Sequence, residues 1–455
     1  MKLKATQRTA ADQAWQAAAA LLQAGAQAAS LVLLDELQRA VHSCRVAGLH
    51  RLAAAGSRAV QQMRYLHAQA PAFRLGTLSW DLFELLRVAH ALRTAGDEVD
   101  ALWIGEARRG YANIGSLALR GLFTEAIASA TGYAGVVTYF VDAAGTLWSL
   151  GDIAPGDVSR YRFAYVMPFE LGQTQVEHRA LSRAGIHLEN ARAAANRRLG
   201  IGRALVAEVV DGVAWTEPPL AALFATPLRA QLERVWADER GAGDDLVLLH
   251  ARISGATSNA LLLRSDDALL RAIVASPSGE LAYRQNLELL SRAVGLDVWL
   301  IGRPVLARPR TLHLLAIWSP DLAVPEEWRG RVNLALDRLL PSHLPAARGL
   351  PVKEAPGGTT LDPLLPLARR LEQVLLAGAS AASPVAAPGF ERDEAALQRN
   401  QLPTAAALLR RLRQAPPEDL PEAWLAARIY LAAAQSKLQR EAWLGGAQSA
   451  PASVG

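Results

Sequence analysis

Over the first hundred residues, apolar positions recur every three to six residues, close to the period at which a helix turns one stripe toward a core. In "LVLLDELQRAVHSCRVAGLHRLAAAG" the stripe runs through Leu34, Leu37, Val41, Ala47 and Leu52. "LSWDLFELLRVAHALRTAG" repeats it, with Ser79 as the expected N-cap and Gly96 as the expected C-cap. From about residue 106 the texture changes. "SLALRGLFTEAIAS", "AGVVTYFVDAAG", "TLWSLGDI" and "RALVAEVV" are short β-branched and aromatic runs divided by Gly, Asp and Asn turns. Among them "GYAGVVTYFVDAAGTLWSLGDI" predicts a hairpin: Val136, Thr138 and Phe140 share one face, Val137, Tyr139 and Val141 the other, and Asp142 to Gly145 turn the chain. Trp148 is expected to pack inward.

The proline-punctuated "EPPLAALFATPLRAQLERVWADERGAGDD" reads as a boundary carrying an amphipathic helix. Beyond it come three strand patterns, a helical "ELAYRQNLELLSRAVG", and two more strands in "DVWLIGRPV" and "TLHLLAIW". That order, with the helix between strands three and four, is the order of an OB-type barrel. The last hundred residues combine Pro, Gly and Ala-rich linkers with helical stretches such as "PEAWLAARIYLAAAQSKLQREAWL", and the final "GGAQSAPASVG" is expected to be disordered. The expected fold is α+β: a helical region over 1–105, a β-rich domain over 106–216, an OB-like domain over 217–345, and a linker with a C-terminal helical region over 346–455. One or two OB-like barrels are anticipated.

Composition changes this picture little. The chain of 455 residues is 51% hydrophobic and 20% charged, as in globular proteins. Its net charge of +5 suggests a nucleic-acid partner, but only four of 48 basic residues are lysine (Lys2, Lys4, Lys353, Lys437). Such arginine usage follows from a GC-rich genome, so the charge is not read as a phosphate-binding surface. The single Cys44 excludes an intrachain disulfide and any multi-thiolate zinc or iron–sulfur site, and it fits a reducing cytoplasm. No window approaches a membrane span, so no membrane association is expected.

The motifs that carry chemistry are missing. None of the lysines follows a glycine, as a P-loop requires, and "LGIGRAL" has Leu205 where a third dinucleotide-binding glycine would stand. The nine histidines include no pair at helical ligand spacing. The neighbouring carboxylates Asp244–Asp245 and Asp266–Asp267 lie at strand ends, where turn or cap roles are expected. Neither a catalytic residue nor a cofactor is assigned. The candidate nucleic-acid contacts are Arg197, Arg198 and Arg203 in "NRRLGIGR" with Tyr139 and Trp148, and Arg303, Arg308 and Arg310 in "GRPVLARPRT". Single-strand binders need such a basic groove with stacking faces.

Several blocks, among them "ARRGYANIGSLALRGLFTEAIASATGYAGVVTYFVDAAGTLWSL", "EHRALSRAGIHLENARAAANRRLGIGRALVAEVV", "PPLAALFATPL" and "GLDVWLIGRPVLARPRTLHLLAI", resemble the body of bacterial SWIM zinc-finger proteins. The resemblance spans about residues 30 to 435 and is strongest over 106–225. Proteins of that family are often encoded beside MoxR-type AAA ATPases and von Willebrand A (VWA)-domain proteins. What it implies is a non-enzymatic adaptor partnering such an ATPase and VWA-domain protein. The finger itself, CxC then CxH, is missing here, so its zinc and its nucleic-acid binding do not carry over. A single-stranded nucleic-acid binder of OB type is the alternative expectation.

Overall fold

The computed structural model describes residues 2–96, 98–105, 110–129, 132–237, 241–265, 268–276, 278–352, 362–382 and 387–445. It is an α+β structure, with helices at both ends of the chain and barrel-forming strands between them. The Asp266–Asp267 pair and the tail from residue 446 lie outside the described residues. The chain divides into two compact units: residues 1–108 with 358–437, and residues 109–357 with 438–455.

The N-terminal stripe folds as α1 (Ala5–Ala24), α2 (Leu31–Val46), α3 (His50–His67), α4 (Leu75–Thr94) and the short α5 (Ala101–Ile104). Ser30 caps α2, its hydroxyl accepting from Leu33 N–H. The stripe from Leu34 to Leu52 is shared by two helices that meet at Gly48. Two expected caps are corrected. Ser79 lies buried inside α4, and the helix ends at Ala95, one residue before Gly96. It begins a turn earlier than the sequence suggests because Gln62 of α3 accepts the Arg74 N–H, satisfying a backbone donor at the helix entrance.

The first β region is built on one long strand. β1 (Ala112–Ala128) pairs through its second half with β2 (Tyr133–Val141) and through its first half with β6 (Gly185–Ala193). Between them the chain forms β3 (Leu147–Pro155), α6 (Arg160–Val166), the small ribbon of β4 (Phe169–Leu171) and β5 (Thr174–Val176), and α7 (His178–Leu181). β7 (Leu199–Gly200) and β8 (Val206–Val210) both pair with β6. The sheet order is β3-β2-β1-β6-β7, and one isolated parallel bridge, Ser149 to Arg198, joins its two ends. β1 bends at a bulge beside Gly121. A Cβ there would lie 2.0 Å from Leu181 O, so only glycine permits the approach of β1 to the end of α7.

The boundary segment forms α8 (Leu220–Ala225) and α9 (Leu228–Val235). Then β9 (Val247–Ala256), β10 (Leu261–Ser265), β11 (Ala268–Ile273), α10 (Tyr283–Leu290), β12 (Asp297–Pro304), β13 (Thr311–Trp318) and β14 (Arg331–Asn333) follow in the anticipated order. The circuit runs β9-β10-β11-β13-β12 and returns to β9, with β11 and β13 parallel. This is a closed OB-like barrel. The first region has the same strand circuit, but closes through a single bridge. Leu248, Leu263, Leu300, Leu314 and Ile317 fill a core that also takes in Phe123, Tyr139 and Val141 from the first sheet, so the two barrels share apolar packing.

The C-terminal helices α11 (Leu365–Ala377), α12 (Ala387–Arg399), α13 (Pro403–Gln414) and α14 (Leu420–Gly445) follow. Leu367, Leu371, Leu409 and Trp424 enter the same apolar core as Leu22, Leu52 and Leu85, so the two ends of the chain build one helical unit. Gly25 (φ 84) ends α1 where a Cβ would lie 2.4 Å from Gly378 N, and Ala26 N–H donates to Leu375 O at 2.8 Å.

Candidate functional site

OB barrels hold their ligands on the outward face of strands two and three and on the loops that flank it. In the first barrel that face is β2–β3, and the hairpin alternates as its sequence predicts. Phe140 points into the first barrel's own core, while Tyr139 and Val141 pack in the core shared with the second barrel. Asp142 fixes the turn by accepting from Ala144 N–H and Thr146 N–H, both at 2.9 Å. Its other oxygen takes the Trp148 Nε1–H at 2.9 Å, so Trp148 is half-buried and held by its own hairpin.

Tyr139 does not present a stacking face to solvent. It is 8% exposed and lies flat on Phe123, ring centroids 4.8 Å apart. Beside it Arg303 makes a two-pronged ion pair with Glu125 (2.6 and 2.9 Å) and reaches Asp245 through Nε at 2.5 Å. Burial opposes the Arg303 charge, but the Glu125 and Asp245 carboxylates outweigh it and push the guanidinium's pKa up. Arg303 belongs to the second barrel and Glu125 to the first, so this arginine ties the barrels together.

The remaining candidates separate. Arg197, at φ 61 in the β6–β7 turn, pairs with Asp244 at 2.5 Å. Asp244 also accepts the Gly241 N–H at 2.7 Å, the turn role its sequence position suggested. Arg198 is half-buried and lines a cavity of about 350 Å³ with Tyr139, Asn196, Gly243 and Asp245. Trp148, Arg203, Arg308 and Arg310 do not line it. Arg203 and Arg308 are exposed, and Arg310 takes a left-handed conformation in the β12–β13 turn. Of the eight candidates, this cavity brings together Tyr139 and Arg198.

A second polar cluster lies between the barrels. Arg183 pairs with Asp337 at 2.6 Å with both side chains under 5% exposed. Tyr165 donates its hydroxyl to Asp337 at 2.7 Å and accepts from Arg183 and Asn333. Burial raises the Tyr165 pKa, so this hydroxyl stays protonated and does not act as a nucleophile. Arg331 is buried without a carboxylate: it donates to Gly121 O at 2.8 Å, Ser182 O at 2.9 Å and Val213 O, and lies 5.8 Å from the Trp215 ring centre. Burial, with the nearby Arg183 and Arg329 charges, lowers its pKa to about 9, which still leaves it cationic at neutral pH.

Comparison with protein-family models and with curated proteins gives no match. The chemistry must be read from the side chains alone. Inside the first barrel His178 Nδ1 lies 2.7 Å from the Thr138 hydroxyl, which is 2.8 Å from Thr124. All three are buried, and burial drives the imidazole pKa down to about 4, so His178 is neutral. Cys44 is buried in the helical unit against Ala10 O, and burial pushes its thiol up to about 12, far from a reactive thiolate. Among the described residues no group of three His, Cys, Asp or Glu side chains can share a metal ion. No described helix is long and apolar enough to cross a membrane.

Sequence reasoning missed Glu125, Arg183, Arg331, Asn333 and Asp337. The available signal was charged and amide side chains inside apolar strand patterns, as in "RVNLALD".

Proposed function

We propose that this chain is a non-enzymatic interaction protein whose barrels, locked face to face, present docking surfaces to protein partners. The observation that carries this reading is the burial of Tyr139, beside the Glu125–Arg303–Asp245 ion-pair cluster, at the usual ligand face of the first barrel. A face packed against a neighbouring barrel acts as a framework, and the polar clusters there hold that framework in place. The family resemblance supplies the expected partners, a MoxR-type AAA ATPase and a VWA-domain protein, and with them a cytoplasmic location. Gel filtration of the full-length chain with the purified ATPase and VWA-domain protein from the same genome tests it. Co-elution with either partner is the expected result, and separate elution from both would overturn the reading.

One observation favours a second reading, binding of single-stranded nucleic acid. On the second barrel Trp299 stands half-buried between His250 and Trp318, at ring distances of 4.5 and 4.8 Å, and Arg264 is exposed on β10. An aromatic step beside a cation is the element such binders use. The affinity for a labelled single strand must then fall steeply with salt. No binding at low salt removes this reading.

A further inference from the structure

The first barrel is not fully closed. Ser149 N–H donates to Arg197 O at 3.1 Å, and beyond that bridge no strand pairs with the outer edge of β3 among the described residues. Because backbone groups alternate along a strand, Gly151 and Ile153 present their N–H and C=O groups to the same side as Ser149. Facing that edge across the seam is β7. Between them lies a cleft of about 350 Å³ lined by Gly151, Gly200, Gly202, Tyr111, Arg192 and Arg198.

Three features of this cleft agree. At Gly202 the floor is open, a Cβ there meeting only Arg192 Cδ at 3.7 Å, so another backbone can approach closely at that point. Its charged lining residues are both arginines, with no carboxylate among the lining residues, and exposed Arg203 follows Gly202. Arg192 donates to Tyr111 O at 2.7 Å, and neither Arg192 nor Arg198 makes an ion pair among the described residues. The open edge alternates donors and acceptors, a pattern that a second extended peptide satisfies group by group. A phosphate would meet the N–H groups but also the carbonyls.

We propose that the open edge of β3 beyond the Ser149 bridge captures an extended, acidic segment of a protein partner by strand addition at the mouth of this seam, with Arg192 and Arg198 holding its carboxylates. This rests on the interaction-protein reading and locates one of its docking surfaces.

The test uses the full-length chain and a fluorescent synthetic peptide of alternating glutamate and valine, with a lysine–valine peptide and an oligothymidylate as controls. The acidic peptide should bind and neither control should. The R192E/R198E double variant should weaken binding by roughly tenfold or more. Gly202→Glu is the second variant, because a Cβ there meets only Arg192 Cδ at 3.7 Å and the arginines stay in place; it should weaken binding in the same direction. Hydrogen exchange read by mass spectrometry should show residues 147–155 gaining protection when the peptide binds. Failure of the acidic peptide to bind, unchanged affinity in both variants, preferential binding of the oligonucleotide, or binding without protection of 147–155 each overturns the proposal. If the ATPase or VWA-domain protein co-elutes with R192E/R198E as it does with the native chain, the seam proposal fails while the interaction reading stands.

Discussion

Arg183 and Asp337 are both almost fully buried, and each is the other's ion-pair partner. Removing one partner leaves an uncompensated ion in a low-dielectric interior. Asp337→Ala is therefore expected to cost about 3–5 kcal/mol, measured by urea unfolding. A cost near zero would mean that the cluster is solvated. His178 gives a pH-dependent counterpart. Its imidazole is neutral in the fold because burial lowers its pKa to about 4, partly opposed by Asp152, while the unfolded chain titrates near 6.5. Between those values the unfolded state binds a proton that the folded state refuses. The stability from neutral His178 is thus complete above about pH 6.5 and falls by roughly 3 kcal/mol as the pH drops to about 4. Unfolding at pH 7 and pH 4.5 should show a steeper acid loss for the native chain than for His178→Gln. These residues were hidden in the sequence because a lone His or Asp carries no sign of what will surround it. The candidate arginines were visible, but Asp244 and Glu125, which neutralise Arg197 and Arg303, are 47 and 178 residues away along the chain.

The hairpin from Tyr133 to Pro155 was legible because strand alternation and an Asp-to-Gly turn are local properties. Which of its two faces met a second barrel was not, since that depends on strands more than a hundred residues later. The same limit explains the barrel. Three strands, a helix and two strands could be read in order, whereas the parallel pairing of β11 with β13 that closes the circuit is a long-range contact. Helix ends were misplaced where a side chain from another element, Gln62, satisfied the first turn. Gly121 tests the packing of β1 directly. Backbone, which cannot swing aside, stands where its Cβ would go. Gly121→Ala should destabilise by about 1–3 kcal/mol, seen as a lower melting temperature. An unchanged melting temperature would mean that β1 and the end of α7 separate easily.

At the scale of the whole molecule, the four regions read along the chain resolve into two compact units, because the terminal helices share one core and the barrels another. No local pattern announces that helices more than 250 residues apart will pack together. Within the barrel unit, apolar packing, the buried Arg183–Asp337 cluster and the Arg303 ion pairs join faces that isolated OB barrels leave open to ligand. The central claim, that the molecule works through protein partners and not through a nucleic-acid groove, is tested most directly by a competition at physiological salt. The full-length chain is given a labelled single strand together with the purified MoxR-type ATPase and VWA-domain protein, and the complex that forms is read by fluorescence anisotropy and light scattering. The predicted result is a protein complex with the labelled strand left free. A chain that holds the strand and ignores both proteins would contradict the account.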